Sequence, residues 1–130
     1  MIDDAHLLGV LAAAPPGHLL HCPPAVPFVP HVNLFWSAVT HARRLGLRVP
    51  AFELRWAHGG AQATHHGETA WECADGRIVV TMNADLVRPI DVISTSLHEL
   101  QHVSDARHGF ARLEGERRAI AFAFRALEAW

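Results

Sequence analysis

Apolar residues recur along this chain with two different periods, and the changes between them mark out its elements. Ile2 to Ala14 repeats at helical spacing (Leu7, Leu8, Leu11) and stops at Pro15-Pro16-Gly17. Prolines at 15, 16, 23, 24, 27 and 30 then argue against a helix or a central strand over 15–31, and predict an extended arm on the surface. Asn33 is the expected N-cap of a helix running to about Leu45, with Leu34, Phe35, Ala38, Val39 and Ala42 inward and Gly46 as its stop. Ala51 to Ala57 alternates apolar and polar residues and reads as a strand, which Gly59-Gly60 breaks. Glu68 to Ala74 and Arg77 to Asn83 read as two more strands joined at Asp75-Gly76. Pro89 opens the next helix, with Asp91 in its first turn, and it runs to about Asp105. His108-Gly109 turns the chain into a last helix from about Arg112 to Ala129. The expected fold class is α+β: a small antiparallel or mixed sheet packed on the 89–105 helix and the C-terminal helix. The expected organisation is one domain, 1–130, in which 1–32 form a helix and a Pro-rich arm.

Composition narrows the function classes without choosing one. Half the residues are apolar and the net charge is −2 with histidines neutral, so no overall field favours nucleic acid or an anionic membrane. All eleven basic residues are arginine. No apolar run approaches the length of a membrane span. Cys22 and Cys73 are isolated, which implies neither a disulfide framework nor a cysteine zinc knuckle. Asp3 and Asp4 stand where a secretory signal carries positive charge, and the cytoplasm is the expected location.

One motif carries chemistry. His98-Glu99-Leu100-Gln101-His102 reads H-E-x-x-H within the predicted 89–105 helix. Imidazoles four residues apart lie one turn apart on a single face, so both can bind one Zn²⁺. Glu99 points to the adjoining side, where it can hold a water and take its proton. Eleven histidines make a chance match possible at odds of roughly one in twenty, so the helix must supply the support. Ile90, Ile93, Leu97 and Leu100 form one stripe, and His98, His102 and Asp105 form a separate one. That division suits a helix with a core face and a site face.

A catalytic zinc site has three protein ligands and an open position, and three residues after His102 compete for the third place. Glu116 comes first, because it lies at the centre of the apolar stripe of Leu113, Ala119, Ile120, Ala123, Phe124, Leu127 and Trp130, where a carboxylate needs a partner. His108 comes second, ten residues after His98. Asp105 comes third, either as a ligand or as a hydrogen-bond partner that fixes a ligand imidazole.

Three segments taken in order, G-R-I-V-V-T-M-N (76–83), I-S-T-S-L-H-E-L-Q-H-V-S-D (93–105) and L-E-G-E-R-R-A (113–119), resemble the zincin-like metallopeptidases of the gluzincin-type branch. The E-x-x-A of Glu116 to Ala119 is similar to the small ImmA/IrrE-type bacterial domains. The resemblance covers about residues 68–125. It implies a zinc-dependent hydrolase of peptide bonds, with zinc on His98, His102 and Glu116, Glu99 as general base, and a protein or peptide substrate. It also implies that the strand Ile78–Met82 is the sheet edge on which an extended peptide docks. His65, His66 and Arg112 are candidate oxyanion donors. Two other functions compete: a non-catalytic zincin-fold binding or regulatory module, and a SprT-like protease of DNA-bound proteins. The first has no use for a base between its histidines. The second calls for a basic patch, of which only Arg43-Arg44 and Arg117-Arg118 are visible, so no nucleic-acid partner is expected.

Overall fold

The computed structural model describes residues 19–60, 66–72 and 76–130. The expected 2–14 helix, the Pro15-Pro16-Gly17 stop, His65, Cys73 and Asp75 of the predicted turn lie outside the described residues. In chain order the elements are a short 3-10 turn (Leu19–His21), α1 (Val29–Arg44), β1 (Glu53–Ala57), β2 (Gly67–Glu72), β3 (Arg77–Asn83), α2 (Pro89–Asp105) and α3 (Arg112–Glu128). The protein is α+β, with three helices and a small mixed sheet among the described residues. None of these helices is long and apolar enough to cross a membrane.

The Pro-rich arm differs from expectation at its end. α1 begins at Val29, not at Asn33, and carries Pro30 in its first turn. Proline is tolerated there because its missing N–H would find no partner in the helix anyway, and its φ is already helical. Asn33 is therefore not the cap; it lies exposed within the helix. The other end follows the sequence. Gly46 adopts φ 89°, the Gly46 N–H donates to the Arg43 carbonyl, and the Leu47 N–H donates to the Ala42 carbonyl. This reciprocal pair closes the last turn, and it needs a residue free to take positive φ. Earlier in the arm, Pro23 to Ala25 run antiparallel along the end of β1. The Ala25 N–H donates to the Trp56 carbonyl and the His58 N–H to the Pro23 carbonyl.

The strand order is β1-β3-β2, with β3 parallel to β1 and antiparallel to β2. β3 is therefore the central strand, which corrects its expected place at the edge. Its run from Ile78 to Asn83 is buried on both faces. Such a near-continuous apolar sequence belongs in the middle of a sheet, where an alternating one would leave a face wet. Ile78, Val80 and Met82 face the main core, joined by Leu54 and Trp56 of β1. On the opposite side, Leu19 of the 3-10 turn meets Asn83 beside Gly59.

α2 lies at the middle of the molecule, packed against α1, α3 and the sheet. Leu97, Leu100 and Val103 enter the core with Phe35, Ala38, Val39 and Ala42 of α1 and with Phe122, Ala123 and Ala126 of α3. Ile93 packs at its border, whereas Ile90 is exposed at the helix start. With three neighbours, α2 also buries polar residues, among them Glu99, Gln101 and Asp105.

Candidate metal centre

His98 and His102 leave α2 on the side facing α3, where Glu116 meets them. His98 Nε2 lies 3.0 Å from Glu116 Oε2, and His102 Nε2 lies 2.8 Å from Glu116 Oε1. The two Nε2 atoms are 3.2 Å apart. Four ligands arranged tetrahedrally around zinc at about 2.05 Å stand about 3.3 Å from one another, so this separation is what a shared ion requires. Glu116 can accept one N–H from each ring, but the two Nε2 donors then face each other with no acceptor between them. A cation resolves the conflict. His98, His102 and Glu116 thus form a group able to hold a metal ion. Their side chains keep about a fifth of their surface exposed, so the group opens to solvent on one side.

Glu116 reaches this position from the margin of the buried face of α3, not from its centre. The buried residues are Ala119, Phe122, Ala123 and Ala126, while Phe124 and Trp130 of the expected stripe are exposed. The small alanines let α3 approach α2 closely, which brings a side chain on the flank of the contact within reach of the histidines.

The other two ligand candidates are engaged elsewhere. His108 is exposed and stacks on Phe110, with ring centroids 5.6 Å apart and planes 20° from parallel. Asp105 is buried and accepts hydrogen bonds from Arg118 Nε at 2.7 Å, Arg118 Nη2 at 3.1 Å and Gln101 Nε2 at 3.0 Å. The Arg118 guanidinium also lies 4.5 Å over the Phe110 ring. Asp105 and Arg118 join α2 to α3 two residues from Glu116, and so hold the register that brings Glu116 to the histidines. Of the suggested oxyanion donors, His66 is exposed and lies near enough to Asp91 to act on its charge. Arg112 is exposed at the start of α3, one turn before Glu116.

Glu99 is buried to 4% exposure on the side of α2 that faces the sheet. Thr69 Oγ1 of β2 donates to Glu99 Oε1 at 2.8 Å, and lies 3.3 Å from the Glu99 carbonyl oxygen. Gly67, two residues earlier on the same face of β2, makes room for this side chain. A Cβ there would come within 2.8 Å of Thr95 Cγ2 and 3.0 Å of Glu99 Cγ. Nothing in the sequence singled out Thr69 or Gly67, because their partner Glu99 lies 30 and 32 residues on, in another element.

In the metal-free protein the electrostatics of the group are one-sided. Burial is the largest single influence on His102 and pushes its pKa down. The hydrogen bond to Glu116 and the charges of Glu99, Glu116 and Asp105 together outweigh it, so the net shift is upward from 6.5. For Glu116, burial again is the largest influence and pushes up, but hydrogen bonds from His102 and His98 and their charges hold it well below the ordinary carboxylate value of 4.5. A raised His102 stabilises the fold below pH 6.5, and that contribution is lost as pH rises through the folded-state value. A lowered Glu116 stabilises it above pH 4.5, and that is lost as pH falls toward the folded-state value. The centre's contribution to the metal-free protein is expected to be greatest between those two pH values. Melting temperatures measured against pH in chelator check this, and His102→Ala should flatten the decline on the alkaline side. Metal binding should reverse that side, since the ion takes the ring nitrogens only after their protons leave.

No protein-family model, curated protein or solved structure matches the chain.

Proposed function

We propose that this chain is a zinc-dependent metallopeptidase of the zincin-like type, with His98, His102 and Glu116 as the zinc ligands and Glu99 as the general base. The observation that carries the reading is the convergence of His98 Nε2, His102 Nε2 and the Glu116 carboxylate on one point, beside a buried glutamate. Two imidazoles and one carboxylate are the donor set of a catalytic zinc site, in which a fourth position stays open. When bound, the ion supplies Lewis acidity toward a carbonyl and makes water a nucleophile near neutral pH.

The chain's own residues do the rest. Glu99 accepts a proton from the attacking water and returns it to the leaving amine. A buried glutamate between the histidines favours catalysis over a purely structural ion, which requires no base. The substrate is an extended peptide. It docks on the outer edge of β2, since β3 is internal and Pro23 to Ala25 take up one end of β1. An added strand there lies next to the segment that carries Thr69, the partner of Glu99.

The test is hydrolysis of a fluorogenic peptide library by the protein as purified, after chelation, and after addition of one equivalent of zinc. Cleavage should disappear on chelation and return with zinc in proportion to the bound metal. A protein that binds one zinc tightly and cleaves nothing in the library would point instead to a binding module.

A further inference from the structure

On the core-facing side of the sheet, Thr69 sits opposite Val80, which is itself opposite Leu54 of β1. Its neighbours on that face are apolar, and valine would fill the same volume. A hydroxyl among them costs desolvation unless it is bonded. Its bond goes to Glu99 Oε1 at 2.8 Å, shorter than its 3.3 Å approach to the Glu99 carbonyl, so the single proton is directed to the carboxylate. Glu99 in turn is a nearly buried carboxylate between Leu97 and Leu100 of the core, and a buried charge requires a donor. Thr69 provides it. Alternate positions of one strand thus serve one side chain: Gly67 leaves room for its methylene and Thr69 holds its end.

We infer that Thr69 is the positioning residue of the general base: its hydroxyl fixes Glu99 Oε1 and reserves Oε2 as the atom that accepts the proton. The inference rests on the general-base reading of Glu99 given above. It also makes the edge strand that docks the peptide the same strand that orients the base, so substrate and base share one rigid support.

The test uses the zinc-loaded 130-residue chain and acetohydroxamic acid, which gives up a proton to a neighbouring base as it chelates the ion and needs no known substrate. Affinities for zinc and for the hydroxamate are measured on wild type, Thr69→Val, Thr69→Ser and Glu99→Gln. Thr69→Val should keep the zinc affinity of wild type and lose about tenfold in hydroxamate affinity, the worth of one hydrogen bond to a charged group. Thr69→Ser, which restores the hydroxyl, should bind as wild type does. Thr69→Ala replaces Thr69→Val if the latter does not fold. If Glu99→Gln weakens the hydroxamate and Thr69→Val does not, the positioning role fails while the base survives. If Glu99→Gln itself binds as wild type does, the base reading fails and this inference with it. Loss of zinc from Thr69→Val would place its effect on the ligands and overturn the assignment to Glu99.

Discussion

Glu116→Ala is expected to weaken zinc binding by more than about 100-fold, beyond the 10- to 100-fold that loss of an outer partner of a metal ligand costs. The expectation follows from geometry. Glu116 supplies the one oxygen donor set between two imidazoles, 3.0 Å from one and 2.8 Å from the other, and it carries the only negative charge in the group. Two imidazoles alone leave the ion half-coordinated. In the metal-free state the same change removes the acceptor from both rings. Because the rings can give up their protons to solvent on the open side once the carboxylate is gone, the loss of stability should be only about 1–2 kcal/mol. The contrast with His108→Ala is decisive, since His108 stacks on Phe110 and should leave zinc affinity where it was. Competition against a chelating indicator reads both variants. Wild-type affinity in Glu116→Ala, or its loss in His108→Ala, would remove the proposed ligand set.

Much of this arrangement is legible in the chain, and the exceptions have physical causes. Pro89 with its following apolar period predicts the helix that carries His98 and His102, with its start at Pro89 and its end near Asp105, and the strand Arg77–Asn83 is equally clear. Both elements advertise themselves locally. What their neighbours would be is a long-range matter. The parallel pairing of β1 with β3 joins residues 26 apart in the chain, such as Glu53 and Val79, and no local pattern encodes it. Even so, the unbroken run of Ile78, Val79, Val80, Thr81 and Met82 carried a sign of centrality. Glu116 was reachable from sequence, though for a reason only partly right. An apolar stripe shows which residues can be buried, but packing decides which of them are, and α3 turns Phe122 and Ala126 inward while Phe124 remains outside. Thr69 and Arg118 were out of reach. Each acts through a partner on another element, and a threonine in a strand or an arginine on a helix is ordinary until that partner is seen.

Glu99→Gln is expected to abolish most hydrolysis while leaving zinc in place. General base catalysis by a positioned side chain is worth about 10²–10⁴ in rate, so the fall in kcat should lie in that range. At 1.36 kcal/mol per decade, this corresponds to about 2.7–5.4 kcal/mol of lost transition-state stabilisation. The substitution separates this effect from folding unusually well. Glutamine keeps the shape, so its amide oxygen can still accept from Thr69 Oγ1 and its stem still fits the space left by Gly67. It also removes a nearly buried charge, so the fold should lose nothing and the melting temperature should hold or rise. Zinc affinity should change little, because the ligand atoms belong to His98, His102 and Glu116. Measured together on one preparation, kcat, bound zinc and melting temperature distinguish the possibilities. A fall in kcat with the other two intact identifies a proton-transfer role, and a parallel fall in all three identifies a structural one. Hydrolysis within about tenfold of wild type would contradict the role of Glu99 as base, since a water near a Lewis acid would then be reacting without it.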